Sequence, residues 1–541
     1  MVVIKDTKSS LVKNYGKSFI KNLTEFSEVI GYTIEEDGNE LKVEFNPDRP
    51  DLFSFPALRE AMKCFYDRDY WINRESSISE VEFRISGNVR KIRKYAIAFI
   101  ASGRPIEGSL EGLIDYQERI HDNLGKNRVK VSIGLHDLDK LKPPFEYRAV
   151  KSDSIEFTTY DGTVTGTAKR ILKEHPKGVE FGKLIESDTE VPVILDSDGG
   201  VLSMPPVING LKSKVDEKTR RFFVDITGND RKAARDAYFL LLYEFQNIGY
   251  TVYPASVTGG AFTEIGADGY DGREINLSSD EMKRITGMDP SQKNTIELLR
   301  RMGYMAEPSS AWISVKVPGN RVDVMGQVDV IEDVVKAYGL SRIREKKMDL
   351  PLIGTPNRSN DFSSLLRDAM IGIGLQEVRT FVVSSSSHYR HFQYVGGIEI
   401  RNPKSLDYSV IRDRLHINIL ELLRINKRRP LPHRVFEIGE VYSNGEQETR
   451  FCAVIMDSKA SYSSIKQVLD YAATRLGIGS IEIRQKKQEG FIEGRAGSIF
   501  FNGKPVGIIG EVDPDVLVRY DLNAPVAALE LNLLEVEMLL Q

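Results

Sequence analysis

Between residues 318 and 340 the chain reads PGNRVDVMGQVDVIEDVVKAYGL, with Asp329, Glu332 and Asp333 at i, i+3 and i+4. A helix over this stretch puts the three carboxylates on one face. Val328, Ile331, Val335 and Tyr338 would then form the opposite, apolar face, and Asp323, just before the helix, adds a fourth carboxylate. Like charges at these spacings repel by a few tenths of a kcal/mol per exposed pair. A hard cation such as Mg2+ would relieve that repulsion with oxygen ligands alone. A solvated acidic face, or neutralisation by Arg321 or Lys336, satisfies the same pattern.

The preceding residues are strongly punctuated. LSSDEMKRITG opens on a serine cap and stops at Gly287, and DPSQKNTIELLRRMGY has a cap within 289–291 and a stop at Gly303. Two short helices are therefore expected, followed by AWISVKVP as an alternating strand. This order resembles a winged-helix nucleic-acid module, although the helix expected over KNTIELLRRMGY carries only three basic residues.

At 541 residues the chain calls for three to four domains, because a single core does not normally grow that large. The N-terminal part mixes alternating segments with a helix over Phe55–Tyr66, entered through the rigid turn NPDRPDLFS. From about 90 to 255, runs such as YAIAFIASG, VKVSIGL, VPVILD and RFFVDITG read as strands, and RKAARDAYFLLLYEFQNIGY reads as a helix. From 355 onwards helices alternate with strands at hairpin-like spacing, as in a mostly antiparallel sheet with flanking helices. The expected class is α+β multidomain, divided near 1–85, 86–268, 269–345 and 346–541. The boundaries fall in NRESSISEVE, the glycine-rich TGGAFTEIGADGYDG and EKKMDLPLIGTP.

Several chemistries lose weight. Cys64 and Cys452 are the only cysteines and there are seven histidines, too few and too scattered for a zinc motif or a disulfide framework. No G-x-S-x-G elbow, phosphate loop or G-x-G-x-x-G turn occurs. The net charge of -4 gives no global pull on nucleic acid, so any polyanion must be held by a local patch. Without a signal-like start or an apolar run of membrane-spanning length, the expectation is a cytoplasmic protein with no membrane partner.

The acidic segment resembles the B5 module of the phenylalanyl-tRNA synthetase beta subunit. Arg321, Asp323, Asp329, Glu332, Asp333 and Tyr338-Gly339 match that family's R-x-D-v-x-x-x-x-D-x-x-E-D pattern and following Y-G in order and spacing. The resemblance implies Mg2+ as cofactor, with Asp323, Asp329, Glu332 and Asp333 as its ligands. It extends over nearly the whole chain. NPDRPDLFS is similar to the N-terminal signature of the short, archaeal and eukaryotic type. QERIHDNLGKNR, VSIGLHDLDKLKPPF, LSMPPVINGLKSKV and VDITGND are similar to the B3/B4 editing domain, and residues 400–442 to the B6/B7 region, a degenerate class II synthetase fold.

The resemblance implies a heterotetramer of two alpha and two beta chains that joins phenylalanine to tRNA(Phe), with ATP and L-phenylalanine bound mainly by alpha. A working class II site uses an f-R-x-E motif; here Phe436-Glu437 follows Arg434 in a different arrangement, as expected of a scaffold. It also implies hydrolytic editing of Tyr-tRNA(Phe), because a hydrophobic pocket rejects an added hydroxyl by only about a hundredfold. Editing candidates are Asp225, as acceptor for the phenol, with Thr227, Ser203 and Asn209; His136 and Asp137 are secondary. Each also reads as a turn or cap residue.

Candidate tRNA contacts are Arg424, Lys427, Arg428 and Arg429, with His433 and Arg434 nearby. A solvated helix end gives the same pattern. Two competing readings remain open: a helix-turn-helix nucleic-acid-binding regulator and a stand-alone editing hydrolase.

Overall fold

The computed structural model describes residues 2–540 except 68, 71–78, 105–108, 186, 188, 261–269, 346–353, 356 and 480. The three expected boundary stretches lie largely outside the described residues. The chain forms two compact units, Met1–Lys347 and Met348–Gln541. Among the described residues no helix is long and apolar enough to cross a membrane.

The first unit begins with an antiparallel three-stranded sheet in which Glu40–Phe45 lies between Val2–Thr7 and Thr33–Asp37. The expected helix Phe55–Tyr66 forms, with Ser54 Oγ accepting from Ala57 N at 3.1 Å as its cap. Phe53, Phe55 and Leu58 share one hydrophobic core with Phe99, Val224 and Phe245, so the N-terminal segment and the strand-rich region are packed together.

That region contains two sheets. Four antiparallel strands run in the order Thr251–Pro254, Tyr95–Ser102, Arg221–Gly228, Val131–Asp137. The other sheet has six strands in the order Ile208–Asn209, Val201–Met204, Glu190–Leu195, Phe145–Lys151, Glu82–Ile85, Ser256–Thr258. Side chains of the first sheet alternate strictly. Phe222, Val224 and Ile226 join the core that contains the helix Arg231–Asn247, whereas Phe223 joins the second core, with Phe145 and Tyr147. Val131, Ile133 and Leu135 likewise face the first core. The period of two therefore sends Ser132, Gly134, His136, Asp225 and Thr227 to the other face.

Residues 270–340 form a small module. Its three-stranded sheet places Ile313–Pro318 between Tyr270–Leu277 and Met305–Pro308. The two short helices occupy Ser279–Thr286 and Gln292–Arg301, capped by Ser278 and by Ser291, the latter the last residue of the stretch 289–291 expected to hold the cap. The acidic helix is Gln327–Tyr338, but its apolar face is corrected: Val330, Ile331, Val334 and Ala337 are buried, whereas Val328 is 56% exposed. Both stripes contain Ile331 and both fit helical spacing; the observed rotation turns Asp333 inwards, where it finds partners.

In the second unit a seven-stranded sheet runs in the order Gln376–Glu377, His433–Ser443, Glu446–Met456, Val526–Asn532, Lys504–Val512, Phe491–Phe501, Ile481–Gln485. It is antiparallel except for its first pair, in line with the expected architecture. Helices Arg358–Gly372 and Tyr462–Arg475 contribute to the core on one face, and His416–Ile425 and Pro514–Arg519 to the core on the other.

Candidate functional site

The face of the four-stranded sheet that carries Asp225 opens into a cleft of about 270 Å3 lined by Gln117, Glu118, Arg128, Ser132, Gly134, Tyr160, Lys177, Ser203, Asn209, Lys214 and Asp225, among others. Asp225 is buried, with its Oδ2 2.7 Å from His136 Nε2, while His136 Nδ1 lies 2.8 Å from Ser213 Oγ. Register places Asp225 opposite Gly134. A Cβ at that glycine would fall on Asp225 Oδ2 and lie 2.6 Å from His136 Nε2, so the close approach requires glycine.

Ser203 and Asn209 are paired across neighbouring strands. Asn209 Nδ2 donates to Leu135 O at 3.3 Å. Ser203 Oγ is buried and has no hydrogen-bond partner among the described residues, which leaves it available to a polar group in the cleft. Thr227 is placed differently from its fellow candidates. Its hydroxyl accepts from Arg93 Nε at 3.1 Å and sits 3.0 Å from Ser132 Oγ, behind the lining residues. Asp137 accepts from Thr219 Oγ1 at 3.1 Å and pairs with Lys140 at 2.9 Å, away from the lining.

The other charged lining residues, Glu118, Arg128, Lys177 and Lys214, were not singled out by sequence reasoning. Arg128 Nη2 donates to both Glu118 oxygens at 3.0 and 3.2 Å, and its Nη1 donates to Pro206 O and Val207 O at 3.2 Å each. It thus ties the helix Ser109–Asp122 to the turn after Val201–Met204. Burial alone would push the Glu118 carboxyl up, but hydrogen bonds from His121 and Arg128 and their charges hold it down at about 2. Burial and the Arg128 charge lower the pKa of Lys177. Lys126, Asn127 and Arg128 have φ of 47°, 53° and 67°, three consecutive non-glycine residues in the left-handed region. Each costs roughly 1–2 kcal/mol. The stretch QERIHDNLGKNR holds both ends of the Glu118–Arg128 pair, but nothing in its spacing announces the left-handed turn that joins them.

The acidic cluster does not converge. Arg321 makes a two-point contact with Asp323, Nε to Oδ1 at 3.0 Å and Nη2 to Oδ2 at 2.7 Å, and its Nη1 lies 2.6 Å from Asp333 Oδ2. Tyr304 donates to Asp333 at 2.6 Å. Asp329 accepts from the backbone N–H groups of Met325 and Gly326 at 2.7 and 2.9 Å, capping its own helix. Glu332 is largely exposed and pairs with Lys336 at 2.8 Å. Among the described residues no group of three or more His, Cys, Asp or Glu is placed to hold a metal ion. As arranged, these four carboxylates do not fit Mg2+: two are saturated by a guanidinium, one by backbone and one by a lysine.

The would-be recognition helix is also occupied. Arg300 Nη1 donates to Tyr70 O at 3.3 Å, and Arg301 donates to Phe65 O and Ala337 O at 3.0 and 3.2 Å while lying over the Phe65 ring. Two of its three basic residues are therefore turned onto protein.

In the second unit, Arg424 is held by Glu421 at 2.6 and 2.7 Å and Lys427 by Asp521, whereas Arg428 and Arg429 are exposed. His433 and Arg434 are half-buried at the start of the strand His433–Ser443. Two carboxylates buried in the sheet, Glu437 and Glu530, are paired. Glu437 is buried against Arg412 at 2.9 Å and Thr380 at 2.6 Å. Burial would raise the Glu530 pKa, but His416 and Arg450, at 2.6 and 3.1 Å, hold its carboxyl far below the usual range.

Residues 109–240 match the family described as the B3/4 domain, 275–340 the tRNA synthetase B5 domain, and 343–533 the phenylalanyl tRNA synthetase beta chain CLM domain. A phenylalanine–tRNA ligase beta subunit from Thermoplasma volcanium is 44% identical over 537 residues, with 99% of each chain covered. One from Thermoplasma acidophilum is 40% identical over 539 residues, covering 99% of this chain and 98% of the relative. A crystal structure of an N-terminal fragment of the phenylalanyl-tRNA synthetase beta subunit from Pyrococcus horikoshii superposes with a TM-score of 0.57 at 28% identity, covering 62% of this chain and 99% of the fragment. End-to-end identity at this level, with three family models matched along the chain, makes this protein a member of the phenylalanine–tRNA ligase beta subunit family.

Proposed function

We propose that this beta subunit assembles with alpha chains as an α2β2 ligase in the cytoplasm, and that its own chemistry is hydrolysis of Tyr-tRNA(Phe) in the Asp225 cleft. The observation that carries this reading is the pairing, in one cleft, of a buried carboxylate at Asp225 with the unpartnered hydroxyl of Ser203. A phenol entering that cleft meets an acceptor and a hydroxyl; a phenylalanine ring leaves the Ser203 hydroxyl unpaired, which costs binding. Water then adds to the ester carbonyl carbon and the bond to the ribose oxygen breaks. The ribose oxygen takes a proton, and free tyrosine and uncharged tRNA leave. Asn209 orients the wall of the cleft and Thr227 acts from behind it. No enzyme nucleophile is needed, which agrees with the shortage of cysteine and histidine.

The class II-like sheet of the second unit is a scaffold in this reading, because its buried charges are bound to each other. ATP, phenylalanine and the magnesium that accompanies ATP belong to alpha. Exposed Arg428 and Arg429 are the preferred phosphate contacts for tRNA. The domain division near 85, 268 and 345 accompanies this assignment.

The test is Asp225→Ala in the co-expressed complex: Tyr-tRNA(Phe) should accumulate while phenylalanylation continues. Undiminished deacylation would reject the site. One observation favours editing without alpha, namely that every lining residue of the cleft lies between Ile114 and Asp225, within the first unit. Deacylation by residues 1–347 alone would establish it.

A further inference from the structure

The loop 46–54 and the small module are joined by charge. Arg49 is buried, pairs with Asp51 at 2.8 Å through both Nε and Nη2, and its Nε reaches Asp323 Oδ2 at 4.0 Å. Asp323 thus lies between two arginines, Arg49 from the loop and Arg321 from the module, and Arg321 continues the chain to Asp333 and Tyr304. The Arg321 guanidinium is also 5.0 Å from the Tyr304 ring centroid.

Arg321, Asp333 and Tyr304 are all buried. A planar guanidinium matches two carboxylates at once and is less strongly hydrated than an ammonium, so it suits this position better than lysine would. In a closed network of this kind, removing one partner leaves an uncompensated buried charge, which is strongly destabilising.

We infer that Asp323 and Asp333 are the acceptors of an arginine lock that fastens the loop 46–54 to the module 275–340, with the Arg321 guanidinium standing where a divalent cation would otherwise bridge them. The lock predicts that the two carboxylates are closed to metal in the full chain and become open to it only when Arg321 is removed. Asp329 and Glu332 take no part, since one caps its helix and the other faces solvent.

The experiment uses the full chain, with Mn2+ as the probe, read by electron paramagnetic resonance and by thermal melting in MnCl2 against EDTA. The wild-type chain should show no Mn2+ signal that Asp333→Asn removes and no metal-dependent rise in melting temperature. Arg321→Met should melt lower in EDTA and gain one Mn2+, with part of its stability restored. A stoichiometric Mn2+ in the wild-type chain that Asp333→Asn abolishes would overturn the lock, as would a folded Arg321→Met chain that still binds none. Mn2+ bound by the wild-type chain and retained in Asp333→Asn but lost in Asp323→Asn would overturn the lock as well. Should Arg321→Met not fold, Arg49→Met decides by amide exchange: faster exchange across 46–54 supports the lock, and unchanged protection there overturns it.

Discussion

Ser54 Oγ donates to Glu244 Oε2 at 2.8 Å across 190 residues of sequence, while the same oxygen accepts from Ala57 N at 3.1 Å. One hydroxyl therefore caps the helix Phe55–Tyr66 and partners a buried carboxyl on Arg231–Asn247. Burial raises the Glu244 pKa to about 7, opposed by the hydrogen bonds from Ser54 and Asn247 and the charges of Arg119 and Arg59. The folded protein holds this proton at a pH where the unfolded chain has released it. Stability from Glu244 is fully present below about 4.5, falls as pH rises, and is gone above about 7. The expected loss is roughly 3 kcal/mol. Glu244→Gln should flatten that part of a stability-versus-pH curve measured by urea denaturation.

Gly134→Ala should disturb the cleft by displacing the Asp225 carboxyl, the proposed phenol acceptor, while leaving its chemistry in place. The added Cβ collides with Asp225 Oδ2 and His136 Nε2. A displacement on the ångström scale costs about a hundredfold in rate. Deacylation of Tyr-tRNA(Phe) should fall by about that factor while phenylalanylation by the complex is retained, as measured in parallel assays.

Arg128→Ala should release Glu118. Without the guanidinium, the Glu118 carboxyl should titrate well above its native position near 2, closer to the ordinary glutamate range, a shift that 13C NMR would follow. The lowered pKa means that this pair stabilises the fold above the ordinary glutamate range and loses its effect as pH falls towards 2. The variant should also raise KM for deacylation more than it lowers kcat, because the tether to Pro206 and Val207 shapes the cleft rather than the reacting bond.

The basic loop should divide in two. Arg428 and Arg429 face solvent, so replacing each by alanine should lower the slope of log affinity for tRNA against log salt by about one. Arg424→Ala and Lys427→Ala should do less, since Glu421 and Asp521 already hold those side chains. Filter binding at several salt concentrations distinguishes the pairs.

Locally encoded features were readable from the chain. The serine caps at Ser278 and Ser291 and the helix Phe55–Tyr66 depend on a few consecutive residues, and each lies where the sequence puts it. The strand Arg221–Gly228 was readable by its residue types, whereas the candidacy of Asp225 on it came only from the resemblance to the editing domain. Partner choice was not. Whether Asp333 faces water, a cation or Arg321 depends on Tyr304 and on how the helix rotates to bury Val330 and Val334. The Glu118–Arg128 tether depends on three consecutive left-handed residues, of which only Asn127 is of a type that favours that conformation, so no local pattern announces it.

The strand Arg221–Gly228 acts as an index. Odd positions 223, 225 and 227 face the second sheet, with Phe223 in its core, Asp225 in the cleft lining and Thr227 behind it, and even positions 222, 224 and 226 face the other core. One short segment thereby serves two cores and a cleft, with a single residue, Asp225, turned to the cleft. A library confined to position 225 would change the cleft lining while leaving Phe223 and the even-position core in place. A single-residue insertion in the same strand would exchange the two sets at once.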